Sequence, residues 1–322
     1  MNNSGSPDLS NTVKNFNDEL KKRNGKPLYE LTPQEARLFL INLQNETHRE
    51  IDADIEDRAI YTTDCGSIEL RIVRPKNSGK NILPAMLYLH GGGWVMGGKS
   101  THDMLIRILA NEIGVTVIFP EYTLSPEARF PVPLKQCYSV LEYLYENPEE
   151  FNIDKEKIVI AGDSAGGNMA ASAALMSKYS AGPSILLQVL LYPVTDLNSD
   201  TKSYNEFKDG PWLTKKAMQW FIDAYAPDKT ARNDIYASPL KAPVEKLANL
   251  PPALIITAEN DVLRDEGEMY ASKLQKAGTD VLSLRINGTQ HDFLMLNALQ
   301  NTMQFRSAVA VIKQAVSDVL EN

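Results

Sequence analysis

Short apolar runs that alternate with helical stretches constrain the fold of this chain more than any other sequence feature. Six runs are nearly continuous in Val, Ile, Leu and Ala, a pattern typical of strands buried on both faces of a parallel sheet. These runs lie at residues 85–89, 115–119, 158–161, 185–191, 253–257 and 281–286. Residues 58–62 and 67–74 precede them and are also predicted to be strands.

Helical periodicity fills the intervals between these strands. Predicted helices span residues 103–112, 134–145, 165–178, 264–277 and 302–320. In the last of them Phe305, Val309, Ile312, Val316 and Leu320 recur at helical spacing, which indicates one buried face. The alternation of strands and helices predicts an α/β fold with a doubly wound, mostly parallel sheet of about eight strands.

Two segments interrupt this alternation. Residues 1–26 are polar and are predicted to be frayed or loosely helical, whereas a helix capped by Thr32 is predicted over residues 32–47. Residues 197–238 contain no buried strand but carry a predicted amphipathic helix. Its apolar side chains are Trp212, Met218, Trp220, Phe221 and Tyr225. We expect residues 1–50 and 198–238 to form a helical cap over an α/β domain made of residues 51–197 and 239–322.

Composition argues against several classes of partner. The chain has 33 Lys and Arg against 41 Asp and Glu, a net charge of −8, which disfavours nucleic acids and anionic membrane surfaces. Two cysteines, Cys65 and Cys137, are too few for a disulfide framework or a four-cysteine zinc site. The polar start of the chain lacks a signal-peptide pattern, and no apolar run is long enough to span a bilayer. We therefore expect a cytoplasmic protein without stable membrane association.

The strongest local motif is Gly-Asp-Ser-Ala-Gly at residues 162–166, between a predicted strand and a predicted helix. This is the context of a G-x-S-x-G nucleophile elbow, in which a sharp turn lifts the serine hydroxyl out of the sheet. The turn also places the Ala165 N–H at a helix N-terminus, where it can donate to a developing oxyanion. The motif predicts that Ser164 is a nucleophile.

A second motif, His-Gly-Gly-Gly-Trp at residues 90–94, directly follows a predicted strand. Consecutive glycines let backbone N–H groups approach a reacting carbonyl oxygen closely, as acyl transfer requires. The alternatives are a flexible loop or a phosphate-binding loop. The spacing of Gly93 to Ser100 misses the P-loop pattern by one residue, which makes phosphate binding the weaker interpretation.

A serine nucleophile needs a base and an acid that orients the base. Among the four histidines, His48 and His102 are interpreted as surface or structural residues and His90 as a loop-shaping residue. His291 follows the last predicted strand and is the expected base. Asp261 follows the preceding strand and is the expected acid. Glu259, Asp265, Glu266 and Asp196 remain alternative acids.

These motifs resemble the hormone-sensitive-lipase-like (family IV) carboxylesterases of the α/β-hydrolase fold. The similarity covers residues 64–292 and includes Asp-Val-Leu-Arg-Asp-Glu-Gly at 261–267, Tyr-Thr-Leu-Ser-Pro-Glu at 122–127 and Phe-Pro at 130–131. It implies hydrolysis of small-molecule carboxylic esters with short to medium acyl chains. No cofactor or metal is expected. The resemblance also implies that the active domain lies beneath the cap. It also suggests a homodimer through the edge strand at 281–286.

By position, the resemblance implies Ser164 as nucleophile, His291 as base and Asp261 as orienting acid. It implies an oxyanion hole formed by the N–H groups of Gly92, Gly93 and Ala165. Four residues depart from the family pattern: Thr123, Ser125, Val262 and Asp292 stand where Arg, Ala, Pro and Gly are usual. We expect the Asp292 carboxylate to favour the imidazolium form of the neighbouring His291 and to shift the acid limb of the pH–rate profile upward.

Two other functions share most of these features. An amidase or peptidase would use the same triad, and a non-catalytic binding protein would keep the fold but would be expected to have a damaged triad. Trp94 is the best candidate for a substrate-binding residue. Other aromatic and apolar residues that are candidates for the pocket, or else for ordinary packing, are Phe207, Trp212, Trp220, Phe221, Phe293 and Leu294.

Overall fold

The computed structural model describes residues 8–321. The strands are β1 (Asp54–Thr62), β2 (Gly66–Arg74), β3 (Leu83–Leu89), β4 (Thr116–Glu121), β5 (Ile153–Asp163), β6 (Leu187–Leu191), β7 (Ala253–Asn260) and β8 (Val281–Gln290). They form one sheet in the order β1-β2-β4-β3-β5-β6-β7-β8. The pairs β1–β2 and β2–β4 are antiparallel, and all other neighbours are parallel. The predicted eight-stranded, mostly parallel sheet is confirmed.

Helices flank this sheet. They are α1 (Asn11–Lys22), α2 (Pro33–Asn45), α3 (Lys99–Ile113), α4 (Val132–Glu146), α5 (Pro148–Phe151), α6 (Ala165–Ser180), α7 (Lys202–Glu206), α8 (Lys215–Tyr225), α9 (Val244–Leu247), α10 (Arg264–Lys276) and α11 (Met303–Glu321). Among residues 8–321, none of them is long and apolar enough to cross a membrane.

The central strands are buried on both faces. Leu87, Ile160, Val189 and Ile255 lie in four different strands and have essentially no exposed surface. Parallel strands that are covered by helices on both sides have continuous apolar sequences, because both of their faces are buried. The apolar runs therefore predict the positions of these strands. The register pairs Leu89 with Gly162, so β3 and β5 end at the same edge of the sheet.

The first helix decides between the two expectations for the N-terminal segment, which were a frayed or a loosely helical chain. Residues 11–22 form the regular helix α1, with Val13 fully buried. The Asn17 side-chain amide donates to Gln290 Oε1 at 2.6 Å, which attaches α1 to the end of β8. Tertiary contacts therefore stabilise a helix whose polar composition gives little local signal. Residues 1–7 of the predicted cap and Asn322 lie outside the described residues.

The second interrupting segment also differs in detail from its prediction. Its amphipathic helix is α8, which begins at Lys215, so Trp212 lies before the helix rather than on its apolar face. Trp212 has a positive φ of 61°, which is incompatible with an α-helical residue. The Thr214 hydroxyl accepts a hydrogen bond from the Ala217 N–H at 3.0 Å and caps the helix after Trp212.

Candidate active site

The carboxyl edge of the parallel strands brings the predicted site residues together. Ser164 directly follows β5, Asp261 directly follows β7 and His291 directly follows β8. The glycine loop (residues 90–93) follows β3, the neighbour of β5. Side chains from these connections meet because parallel strands all end at the same edge of a sheet.

Ser164 lies in a strained turn between β5 and α6. Its φ is 53° and its ψ is −116°, an unfavourable conformation for a non-glycine residue. A Cβ atom at Gly166 would lie 1.9 Å from the Leu89 carbonyl oxygen, so only glycine permits this close approach. The Ser164 N–H donates to the Leu191 carbonyl at 2.8 Å and ties the turn to β6. The surrounding strands thus hold the serine in a conformation that the isolated turn would not keep.

Three side chains form a continuous hydrogen-bonded chain at this edge. Ser164 Oγ lies 2.9 Å from His291 Nε2, and His291 Nδ1 lies 2.6 Å from Asp261 Oδ2. The other Asp261 oxygen accepts the Leu263 N–H at 2.9 Å, which aims Oδ2 at the imidazole. Serine, histidine and aspartate are all at least 97 % buried. This arrangement can move a proton from a serine hydroxyl to an imidazole in a site shielded from water.

His291 is held between two carboxylates. Burial alone would lower its pKa, but the charges of Asp261 and Asp292 outweigh burial and raise the pKa of His291 to about 9. Asp292 Oδ1 lies 3.4 Å from His291 Nε2, the nitrogen that also faces Ser164. Burial raises the pKa of Asp292, while the His291 charge and the Trp212 hydrogen bond oppose that shift. Both carboxylates therefore favour a protonated imidazole.

Asp292 also connects the histidine to the cap region. Its Oδ2 accepts a hydrogen bond from Trp212 Nε1 at 2.8 Å. Its Oδ1 has no hydrogen-bond partner among the described residues. The Asp292 φ of 63° lies in the left-handed region, which Asn and Asp tolerate better than other residues with a side chain.

The glycine loop approaches Ser164 from the β3 side. Gly92 and Gly93 line the same cavity as Ser164 and His291. The Gly92 carbonyl accepts the N–H groups of Val95 at 3.2 Å and Met96 at 2.8 Å, which closes the loop into a tight turn. Ala165 is the first residue of α6, so its N–H has no acceptor within the helix. The glycine loop and the first residue of α6 therefore both lie beside Ser164.

The remaining acids have other partners. Glu259 accepts the Gly288 N–H at 2.7 Å, Asp265 accepts the Ser203 N–H at 2.7 Å, and Glu266 accepts the Thr195 N–H at 2.7 Å. Asp196 lies 3.6 Å from Lys241 Nζ. Of the candidate acids, the structure places Asp261 against His291.

Comparison with known proteins agrees with this geometry. A family model described as the alpha/beta hydrolase fold matches residues 86–295. An alpha/beta hydrolase of Acanthamoeba polyphaga mimivirus is 38 % identical over 307 residues, which cover 95 % of this chain and 87 % of the relative. An ethyl acetate hydrolase of Pseudomonas putida is 35 % identical over 249 residues, 76 % of this chain and 77 % of the relative.

A solved structure extends the similarity over nearly the whole chain. The thermostable esterase from Pseudomonas putida ECU1011 superposes with a TM-score of 0.94 at 41 % identity, covering 98 % of each chain. The chain belongs to the α/β-hydrolase family. Within that family it is a carboxylic ester hydrolase of the hormone-sensitive-lipase-like group, as its motifs predicted.

The cavity of this esterase lies between the sheet edge and the two interrupting segments. Its floor consists of Gly92, Gly93, Met96, Ser164, His291 and Asp292. Its other walls are apolar and come from Leu28 and Leu40 of the N-terminal segment and from Trp212, Leu213, Met218 and Phe221 of the second segment. Both segments predicted to form a cap thus contribute to the space over Ser164.

Trp94, predicted to bind substrate, does not line this cavity, and its role in substrate binding stays a prediction. The side chain is fully buried and stacks on Tyr225 with a centroid distance of 4.2 Å and an interplanar angle of 1°. Of the other proposed pocket residues, only Trp212 and Phe221 line the cavity. Tyr225 is the last residue of α8, so Trp94 packs against that helix.

The three histidines outside the catalytic chain differ in how deeply they are buried. His102, interpreted as surface or structural, is completely buried beneath the esterase site. His90 Nδ1 lies 2.8 Å from the Gly91 carbonyl, and its ring stacks on Tyr122 at 4.1 Å, which agrees with a loop-shaping residue. His48 is partly exposed and lies 3.4 Å from Asp103.

Sequence reasoning missed several residues that contact the site. Tyr192 follows β6, has a φ of 35° and packs edge-on against His291 with ring centroids 4.9 Å apart. Leu28 and Leu40 belong to the N-terminal segment, far from the catalytic motifs in the sequence. Tyr192 directly follows a buried strand, as Ser164, Asp261 and His291 do. This shared position could have predicted that Tyr192 lies at the site. No local signal indicated which face of α2 meets the cavity.

No group of three or more His, Cys, Asp or Glu side chains within residues 8–321 is placed to hold a metal ion.

Proposed function

We propose that this esterase hydrolyses short- to medium-chain acyl esters of small molecules through an acyl-enzyme on Ser164. The observation that carries the proposal is the unbroken Asp261–His291–Ser164 hydrogen-bond chain, with distances of 2.6 Å and 2.9 Å, at the floor of an apolar cavity. The geometry meets the requirement that nucleophile and base lie within hydrogen-bond reach and that a third group orients the base.

The reaction begins with His291 in its neutral form. Nε2 takes the proton of the Ser164 hydroxyl as Oγ attacks the ester carbonyl carbon, and Nδ1–H donates to Asp261. Negative charge develops on the carbonyl oxygen. The backbone N–H groups of Gly92, Gly93 and Ala165 are the proposed donors to that oxygen, since the glycine loop and the start of α6 both border the serine.

The tetrahedral intermediate then collapses. His291 gives its proton to the leaving alkoxide oxygen, the carbon–oxygen bond to the alcohol breaks, and the acyl group stays on Ser164. Water enters, gives a proton to His291 and attacks the acyl carbon. The second collapse returns the proton to Ser164 and releases the carboxylic acid.

The cavity walls support the proposed preference for short to medium acyl chains. Phe221 closes the space above Gly93: a Cβ atom placed on Gly93 would lie 2.2 Å from the Phe221 ring. We propose that residues 8–50 and 198–238 act as a cap, because Leu28, Leu40, Trp212 and Met218 cover Ser164 from both segments. Apolar walls suit an acyl chain or a small alkyl group of the alcohol. The similarity to an ethyl acetate hydrolase points in the same direction.

The test is hydrolysis of p-nitrophenyl esters from acetate to palmitate by the parent and by Ser164→Ala. We expect turnover that is highest at short or medium chains and that falls by roughly four to six orders of magnitude in the variant. Ser172→Ala is the matched control, because this buried serine of α6 donates to the Tyr236 carbonyl at 2.8 Å, away from the cavity. Its turnover should equal that of the parent.

Three outcomes contradict the proposal. Full ester turnover by Ser164→Ala would exclude the serine as nucleophile, and highest turnover on palmitate would exclude the chain-length preference. Ser164-dependent hydrolysis of matched p-nitroanilides at rates above those of the esters would favour an amidase. The homodimer through β8 and the cytoplasmic location stay predictions. β8 has β7 as its strand neighbour and forms one edge of the described sheet.

A further inference from the structure

A buried cluster of titratable side chains lies beneath the glycine loop, and the proposed reaction does not use it. Its members are Tyr88 of β3, His90 of the glycine loop, His102 of α3 and Asp163 at the end of β5. None of the four side chains is more than 1 % exposed. Asp163 directly precedes Ser164, so the cluster adjoins the proposed nucleophile.

Asp163 links three separate elements. Its Oδ1 accepts the Tyr88 hydroxyl at 2.9 Å and the Gly91 N–H at 3.0 Å. His102 Nε2 lies 3.3 Å from Oδ1 and 3.4 Å from Oδ2. A Cβ atom on Gly91 would lie 2.2 Å from Asp163 Oδ2, so the carboxylate contacts the loop backbone directly. One side chain therefore connects the serine turn to the loop that borders it.

Contacts on both ring nitrogens hold His102 in place. Nδ1 lies 2.9 Å from Thr101 Oγ1, and Thr101 Oγ1 lies 2.9 Å from the Gly98 carbonyl. Nε2 faces the Asp163 carboxylate, which accepts hydrogen bonds when ionised. His102 therefore links Asp163 to the first turn of α3.

The groups around Asp163 favour its ionised form. Burial would raise the pKa of Asp163, but interactions with His102 and the Tyr88 hydrogen bond outweigh burial and lower it. The His90 ring lies 5.6 Å from the His102 ring, and burial is the main cause that lowers the pKa of His90 to about 3, so His90 is neutral. Burial raises the pKa of nearby Glu121, and the hydrogen bond and charge of Lys99 oppose that shift.

We propose that the buried Asp163 carboxylate, held by Tyr88 and His102, positions the glycine loop relative to Ser164. This inference rests on the proposed function, in which Gly92 and Gly93 donate to the oxyanion. The loop has no side chains of its own at residues 91–93 with which to pack, so backbone hydrogen bonds set its position. A bond from the Gly91 N–H to a charged acceptor is stronger than one to a neutral acceptor.

Asp163 acts through the position of the glycine loop. The N–H donors of an oxyanion hole lose much of their effect when they move away from the reacting oxygen. A weakened Asp163–Gly91 bond should therefore reduce kcat and leave KM nearly unchanged, because the substrate still occupies the same apolar cavity. Asp163 and His102 are positioning residues in this account.

Kinetics tests the positioning. Asp163→Asn keeps the shape of the side chain and removes its charge; we expect kcat to fall by about 10- to 100-fold and KM to stay within about twofold. His102→Gln should show the same split. Asp103→Asn is the matched control, because Asp103 contacts Arg71 at 2.8 Å and Arg107 at 2.7 Å away from Ser164. Its kcat per folded molecule should equal that of the parent.

A parent-like kcat in Asp163→Asn, or a loss confined to KM, would overturn the positioning role. A fall in kcat that only matches the loss of folded protein, measured by near-ultraviolet circular dichroism, would do the same. Failure of the proposed function is distinguishable, because it would appear as unchanged turnover in Ser164→Ala. If Ser164→Ala is inactive and Asp163→Asn is not impaired, only the positioning inference fails.

Discussion

The carboxylate of Asp292 leads to the sharpest prediction for this esterase. Asp292→Asn removes one negative charge 3.4 Å from His291 Nε2. The substitution preserves the backbone, because asparagine tolerates the left-handed φ of 63°. The asparagine oxygen can still accept the Trp212 indole N–H, which now donates to Oδ2 at 2.8 Å. The charge is therefore the main property that changes.

The magnitude follows from Coulomb's law. Two unit charges 3.4 Å apart interact by about 5 kcal/mol at an effective dielectric constant of about 20, which corresponds to about 3.5 pKa units. Asp292 is only one of several charges that act on His291, and burial of its carboxyl opposes ionisation, so we expect only part of this value. We expect the pKa of His291, raised to about 9 in the parent, to fall by about 1 to 3 in Asp292→Asn.

The sign of the kinetic effect is set by the role of the base. His291 must be neutral to accept the Ser164 proton, and its raised pKa keeps it protonated at neutral pH. Lowering that pKa moves the acid limb of the kcat/KM profile to lower pH. A fall of about 1 in the pKa should increase kcat/KM at about pH 7 by up to about tenfold, as long as the pH stays well below the pKa.

The assay is the pH dependence of kcat/KM for p-nitrophenyl acetate in the parent, Asp292→Asn and Asp292→Gly. Trp212→Phe is the control, because it removes the indole hydrogen bond and retains the Asp292 charge. Its acid limb should stay near that of the parent even if KM changes. Profiles of Asp292→Asn and Asp292→Gly that overlay the parent would refute the reasoning. A shift of the acid limb to higher pH in those variants would refute it as well.

Three further perturbations test the fold and the cavity. Burial raises the pKa of Glu266 to about 8, so its contribution to stability is fully present below about pH 4.5 and is lost as the pH rises to about 8. Glu266→Gln should therefore gain thermal stability relative to the parent across that window, and parallel Tm–pH curves would contradict this. Phe221→Ala removes a wall of the cavity and should shift the preferred p-nitrophenyl ester toward longer acyl chains. An unchanged chain-length profile would show that Phe221 does not limit the acyl chain. Gly166→Ala places a methyl group 1.9 Å from the Leu89 carbonyl oxygen. We expect the free energy of unfolding, measured by urea titration, to fall by more than about 3 kcal/mol. A loss below about 1 kcal/mol would mean that the turn relaxes to accept the methyl group.

The strand pattern of the sequence was sufficient to predict where the site residues lie. Each apolar run became a strand, and Ser164, Asp261 and His291 each follow one of them. Since parallel strands end at a common edge, order along the chain was enough to group these residues. The choice among five acids was open in the sequence apart from the family resemblance. The structure places Asp261 against the imidazole because the Leu263 N–H orients its carboxylate.

Polar composition left the N-terminal segment open between a frayed and a loosely helical chain. Residues 11–22 form a helix because Val13 is buried and Asn17 contacts Gln290, 273 positions away. Local propensity cannot indicate such a contact. The contacts of Trp94 show the same limit, because it follows the glycines of the loop in sequence but stacks on Tyr225 of α8 in space.

Hydrophobic periodicity and turn chemistry are local properties, so the amino-acid sequence alone determined the fold class, the strand-following position of the site residues and the serine turn. The cavity walls, the contact of Asp292 with both Trp212 and His291, and the link from Asp163 to Gly91 and His102 were decided only by tertiary structure. Each of these features joins residues far apart in the chain. Their positions depend on how helices and loops pack over the sheet, and no local pattern of residues records that packing.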